Sequence, residues 1–172
     1  MQLKYKLILI GLLLALGLIL HLQQGFFSAW YLYAAALLLM TSHLLLGSVG
    51  QAWQAMQRGN IDQASEWLVE VWQPQWLLPS QRTRYYLTQG LLALHRKEFD
   101  VGKHMLEQAL AVSAGSSLDK AIALLNLAHI YMLKGDNSQA DRLLEQAEAH
   151  AGNHEPVRHQ IQKAKALLRS AN

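Results

Sequence analysis

Apolar residues follow two different rules along this chain, and the change falls near residue 50. Leu7 to Leu22 reads LILIGLLLALGLILHL and Ala29 to Val49 reads AWYLYAAALLLMTSHLLLGSV, with no Asp, Glu, Lys or Arg between Lys6 and Arg58. Neither run carries a polar stripe at helical spacing, which is the pattern of a helix without a water-facing side. At about 1.5 Å of rise per residue the second run covers roughly 31 Å, the apolar thickness of a bilayer. The first run is shorter. Extending it back to Leu3, with Lys4 and Lys6 reaching up to the headgroups, brings it to spanning length. The short uncharged linker Gln23–Ser28 then predicts an antiparallel transmembrane hairpin over residues 1–49.

Flanking residues orient this hairpin. Trp30, Tyr31 and Tyr33 stand where an interfacial aromatic belt belongs, and Trp53 lies just past the other end. Lys4 and Lys6 precede the first span and Arg58 follows the second, so the positive-inside rule places both ends in the cytoplasm of a plasma (inner) membrane. A cleaved signal peptide is the rival reading of the first span, but Phe27-Ser28-Ala29 is a poor small-residue cleavage site. His21 and His43 fall at different depths, His21 level with about Ala35 and His43 with about Leu13. They are therefore read as separate residues, with His43 hydrogen-bonding within or between the helices beside Thr41 and Ser42.

Beyond residue 50 the pattern becomes amphipathic and repeats. Small residues occur in pairs, Ala52 with Ala64, Gly90 with Gly102 and Ala128 with Ala140, and successive pairs are 38 residues apart. Leu68, Leu106 and Leu144 keep the same period, as do Val71, Ala109 and Ala147. Two antiparallel helices approach closely only where neither carries a large side chain, so each pair marks a helix crossing. Gly59 and Gly135 occupy one turn position, where a left-handed backbone reverses the chain, although Lys97 stands there in the middle unit. Asn60 with Gln63 and Asp136 with Gln139 have the spacing of capping boxes, and Ser80 and Ser117 are candidate caps. The expected class is all-α: the hairpin, then residues 50–172 as a short α-solenoid of about three helix pairs and a capping helix.

These residues resemble the tetratricopeptide repeat, a helix–turn–helix unit. Leu127, Ala128, Tyr131, Gly135, Ala140 and Ala147 fit its pattern closely. Tyr86, Gly90, Phe99 and Ala109 fit it moderately, and Gly59, Ala64 and Leu68 form a degenerate first unit. The likeness covers roughly residues 45 to 150; its usual period is about 34, shorter than the spacing here. Helix A of the first unit would start near Leu45, so the second span is expected to run directly into the array. Trp67, Trp72 and Trp76 would then lie either at the membrane surface or packed between repeats, and the second reading is favoured. The resemblance implies a concave groove lined by helix A residues. Carried over, these are Arg84, Leu87, Leu91, Leu94 and His95, then Ile122, Leu125, His129, Met132 and Leu133. Ala121–Lys134 is apolar nearly all round, so a second cover is expected: a partner helix, the chain's own C-terminal helix or a second copy. That C-terminal helix is read over Pro156–Ser170, with Val157, Ile161, Ala164 and Leu168 on one face.

Composition narrows the chemistry. There are no cysteines, which removes disulfides and thiolate metal sites. The net charge is +3, and the basic residues after Arg58 are interleaved with acids, so no nucleic-acid footprint is expected. His150, His154 and His159 with Glu148 are separated by Gly152 and Pro156, so no single helix face collects them as metal ligands. No phosphate-cradling loop or hydrolase elbow occurs. No cofactor and no catalysis are expected. The expectation is a membrane-anchored adaptor that binds a helix or peptide of a membrane complex beside the bilayer. The alternative is a structural or homo-oligomeric subunit whose groove is filled by itself.

Overall fold

The chain's turns divide it into antiparallel helix pairs, and each turn has an identifiable cause. The computed structural model describes residues 3–46, 48–112 and 114–171; the side chains of residues 3, 4, 6, 7, 24, 26, 42–46 and 171 lie outside the description. Among the described residues all regular structure is helical. The N-terminal pair is α1 (Leu3–Gln24) and α2 (Phe26–Leu46). Only Gly25 separates them, at φ 82°, so the linker is much shorter than the expected Gln23–Ser28. A left-handed residue reverses the chain in one step and lets Gln23 and Gln24 stay helical. Ala29, Leu32 and Ala36 form the buried stripe of α2. On α1, Gly17 admits the Tyr33 ring: a Cβ there would lie 3.1 Å from Tyr33 Cε1. His21 meets the same ring edge-on, with centroids 6.4 Å apart.

The rest of the hairpin surface is apolar and exposed, including Ile8, Leu12, Leu16, Leu18, Leu37 and Leu38. Among the described residues, with the interruptions given above, no helix is long and apolar enough to cross a membrane. The side chain of His43 lies outside the description. Trp30 and Tyr31 are exposed, whereas Tyr33 packs on Gly17 and Trp53 packs on the core of the array.

The second helix does not run unbroken into the array: it ends at Leu46, and a new helix starts at Val49. The array comprises α3 (Val49–Gln57) and α4 (Ile61–Val69), α5 (Pro79–His95) and α6 (Phe99–Ala111), α7 (Ser117–Leu133) and α8 (Asn137–Ala151), then α9 (Glu155–Ala171). Each expected crossing is closed by its small pair. Ala52, Ala64, Ala128 and Ala140 are fully buried. At the α5–α6 crossing a Cβ on Gly90 would stand 2.8 Å from Leu106 Cγ, and one on Gly102 would stand 3.0 Å from Leu94 Cδ2. Leu68, Leu106 and Leu144 are buried beneath these crossings, as their common period predicts.

Helix caps follow the sequence at two of four positions. The side chains of Asn60 and Asp136 accept from the backbone N–H of Gln63 and Gln139, each at 3.1 Å. Ser80 is not a cap, because Pro79 already occupies the first helical turn. Ser116, not Ser117, caps α7: it accepts from Asp119 N, and Asp119 Oδ2 accepts from Ser116 N, both at 3.1 Å. Ser117 Oγ instead donates to the His150 carbonyl at 2.8 Å, joining the start of α7 to the end of α8. The α6–α7 loop is held to α5, since a Cβ on Gly115 would lie 2.7 Å from Thr83 Cγ2.

α9 stands to α7 and α8 as α7 stands to α5 and α6: it packs mainly on the helix before it and partly on the one before that. Val157, Ile161 and Leu168 are buried, as expected. Lys165 Nζ donates to Glu148 Oε2 at 2.6 Å across α8 and α9.

Candidate protein-binding groove

α7 is the hub of the array, flanked by α5, α6, α8 and α9. Ala121, Ala123, Leu124, Leu127, Ala128 and Ile130 are buried, which accounts for a helix that is apolar nearly all round. The chain's own C-terminal helix supplies part of the second cover. It does not close the surface. Between α7 and α9 lies a recess of about 320 Å³ lined by Leu125, Asn126 and His129 of α7 and by Gln160, Lys163, Ala164 and Leu167 of α9. Leu167 in that lining is 55 % exposed, and Leu133, outside it, is 57 % exposed. Leu125, His129 and Leu133 are four residues apart and share one face of α7.

The expected groove residues do not share one environment. Leu87 is fully buried in the core cluster and has no surface to offer a ligand. Leu91, Leu94, Ile122 and Leu125 are half-buried against that cluster, and Leu94 is further engaged at Gly102. Met132 is also half-buried, while His129 and Leu133 are exposed. Arg84 lies 3.8 Å from the buried carboxylate of Asp119 and so clasps α5 to the start of α7.

His95 is not with the others. It lines a polar recess of about 590 Å³ with Arg58, Gly59, Asn60, Ile61, Asp62 and Arg96, at the turn end of the first two pairs. Arg96 Nη2 there donates to Ser65 Oγ at 3.0 Å. The α9 residues of the α7–α9 recess were not among the expected set. Ala164 belongs to the apolar face already read in that helix, but Leu167 flanks the stripe, and periodicity alone assigns it to neither side.

The groove's surroundings are polar and paired. Lys134 Nζ donates to Asp100 Oδ1 at 2.6 Å, linking the end of α7 to α6. That hydrogen bond and the cation's field hold the Asp100 carboxyl below its ordinary value. Glu148 is lowered in the same way by Lys165. Lys103 lies 4.8 Å from the centroid of the Tyr131 ring; its side-chain hydrogen bond with Tyr131, ahead of the fields of Glu107 and Asp100, raises its ammonium pKa and favours the charged form. Among the described residues no three His, Asp or Glu side chains are grouped to hold a metal ion. Gly152, at φ 53°, breaks the helix between His150 and His154. Comparison with protein-family models, curated proteins and solved structures gave no match.

Proposed function

We propose that this chain is a membrane-anchored helical-repeat scaffold, of the tetratricopeptide type, that seats an apolar or amphipathic helix of a membrane protein between α7 and α9. The observation that carries the reading is the one-face ladder of half-buried Leu125 and exposed His129 and Leu133, of which Leu125 and His129 line a recess shared with Leu167 of α9. A helix-in-groove partner presents anchors at the same four-residue spacing. Burying a leucine side chain contributes about 1.5–3 kcal/mol, so a few such contacts suffice for a specific complex.

The anchor in this proposal is the α1–α2 hairpin. Support comes from its helix lengths, 22 and 21 residues, from the absence of acidic or basic residues between Lys6 and Arg58, and from the large apolar side chains around its outside. Exposed leucines on that scale are costly in water and neutral in hydrocarbon. Both ends of the hairpin, and with them the array, are proposed to be cytoplasmic, because Lys4, Lys6 and Arg58 flank it on that side. Binding rather than catalysis is the proposed role.

The test is purification of the tagged chain from membranes in mild detergent, wild type beside Leu133→Glu. Leu133 is exposed enough that the charge leaves folding intact. A membrane protein that accompanies wild type and is lost from the variant is expected. Association of the chain with itself alone, unchanged in the variant, would favour the homo-oligomeric alternative and reject the groove.

A further inference from the structure

The connection between α4 and α5 is unlike the other turns of the array. Val71 to Gln81 reads VWQPQWLLPSQ and contains no charged residue. Its indoles are not packed between repeats, as the sequence reading favoured: Trp72 is 79 % exposed and Trp76 is 51 % exposed, and only Trp67 packs on the first core cluster. Val69 and Leu78 on either side are exposed as well. The turn is nevertheless ordered by its own contacts. Pro74–Trp76 forms a short 3-10 turn, and Leu77 is buried beneath it. The Trp72 and Trp76 rings meet edge to face with centroids 5.9 Å apart.

Covalent geometry fixes where this turn lies. Ser48 follows the end of α2 at Leu46 by two residues, within roughly 7 Å of chain. Ser48 is buried, and its Oγ donates to the backbone carbonyl of Trp67 in the last turn of α4. The chain thus leaves the end of the hairpin along α3 and returns to the same level along α4. The Trp72–Trp76 turn lies beside the end of the hairpin, while the charged turns at Arg58–Asn60, Arg96–Glu98 and Lys134–Asp136 lie at the opposite end of the helix pairs.

We propose that the Trp72–Trp76 turn is an interfacial anchor, set in the headgroup layer of the bilayer, which fixes the orientation of the array on the membrane. The inference rests on the spanning reading of the hairpin. Exposed, uncharged and amphipathic, paired indoles have the chemistry that partitions to that layer. The stretch lacks Lys and Arg, so its attachment depends on lipid polarity and not on anionic headgroups.

The chain has no cysteine, so single labelled sites are clean. Three full-length variants, Gln75→Cys, Leu12→Cys and Leu133→Cys, carry a fluorophore in vesicles of phosphatidylethanolamine and phosphatidylglycerol. Lipids spin-labelled near the headgroup or at mid-chain act as quenchers. The label at position 75 is expected to be quenched roughly twofold more strongly by the shallow spin label than the label at position 133. Adding Trp72→Ser and Trp76→Ser should remove that difference while the helical circular dichroism is unchanged. The label at position 12 should be quenched from mid-chain. Equal weak quenching at 75 and 133, with 12 quenched, overturns the interfacial anchor and leaves the hairpin reading intact. Quenching at 75 without quenching at 12 supports the anchor and rejects the spanning hairpin. No quenching at either site rejects both.

Discussion

Lys97 stands at φ 63° in the turn where Gly59 and Gly135 stand at 76° and 78°. The backbone geometry of this turn is therefore set by the helix pair and imposed on whatever residue occupies it. A left-handed conformation costs a residue with a Cβ about 1–2 kcal/mol, part of which glycine's larger unfolded-state entropy offsets. Lys97→Gly is expected to stabilise the chain by about 0.5–1 kcal/mol, read as a higher unfolding midpoint in detergent. Gly90 is the converse case, since a Cβ there meets Leu106 at 2.8 Å. Gly90→Val should destabilise by about 1–3 kcal/mol or more, measured the same way. Both positions were legible in the sequence because a close crossing and a tight turn restrict residue type directly. The caps were less so. Two serines stand together at 116 and 117, and only the placement of Asp119 three residues after Ser116 decides between them.

At the scale of elements, the array's helices were readable from the small pairs, whereas the hairpin's turn and the α2–α3 break were not. A single left-handed glycine replaces a linker, and the break at Ser48 lies inside the run that was read as one apolar segment from Ala29 to Val49. α9 is the element held by the most identifiable polar contact, Lys165 to Glu148, over a modest apolar stripe. The lowered Glu148 carboxyl fixes the sign of its pH dependence. The ion pair's contribution is complete above the ordinary glutamate value and is lost as pH falls through the lowered one. Hydrogen exchange of α9 amides, corrected for intrinsic rates, should therefore gain on that of α7 on acidification. Glu148→Gln should remove that pH dependence; an unchanged profile in the variant would show that the pair does not hold the helix. Overpacking is the other way to loosen an element: Ala140→Leu, at a fully buried α7–α8 contact, should cost about 1–3 kcal/mol in thermal unfolding.

For the whole molecule, periodicity and the family resemblance pointed to α7, which lines the α7–α9 recess, but not to α9, which lines its other side. Leu87 was expected in the groove and lies fully buried in the core cluster. Leu167 and Lys163 enter from α9 because that helix repeats the placement of α7, a relation that appears only when the pairs stack. Leu133 of α7 and Leu167 of α9 are each left more than half exposed. In the proposed reading both features are used: the hairpin would hold the array near a bilayer, and the ladder on α7 would receive a helix from it. Site-specific cross-linking in intact membranes tests this most directly, with a photoreactive residue placed singly at Leu133, at Leu167 and, as a control, at the exposed Val101 of α6. The account predicts one common cross-linked membrane protein from positions 133 and 167 and none from 101. Equal yields from all three positions, or products containing this chain alone, would contradict it.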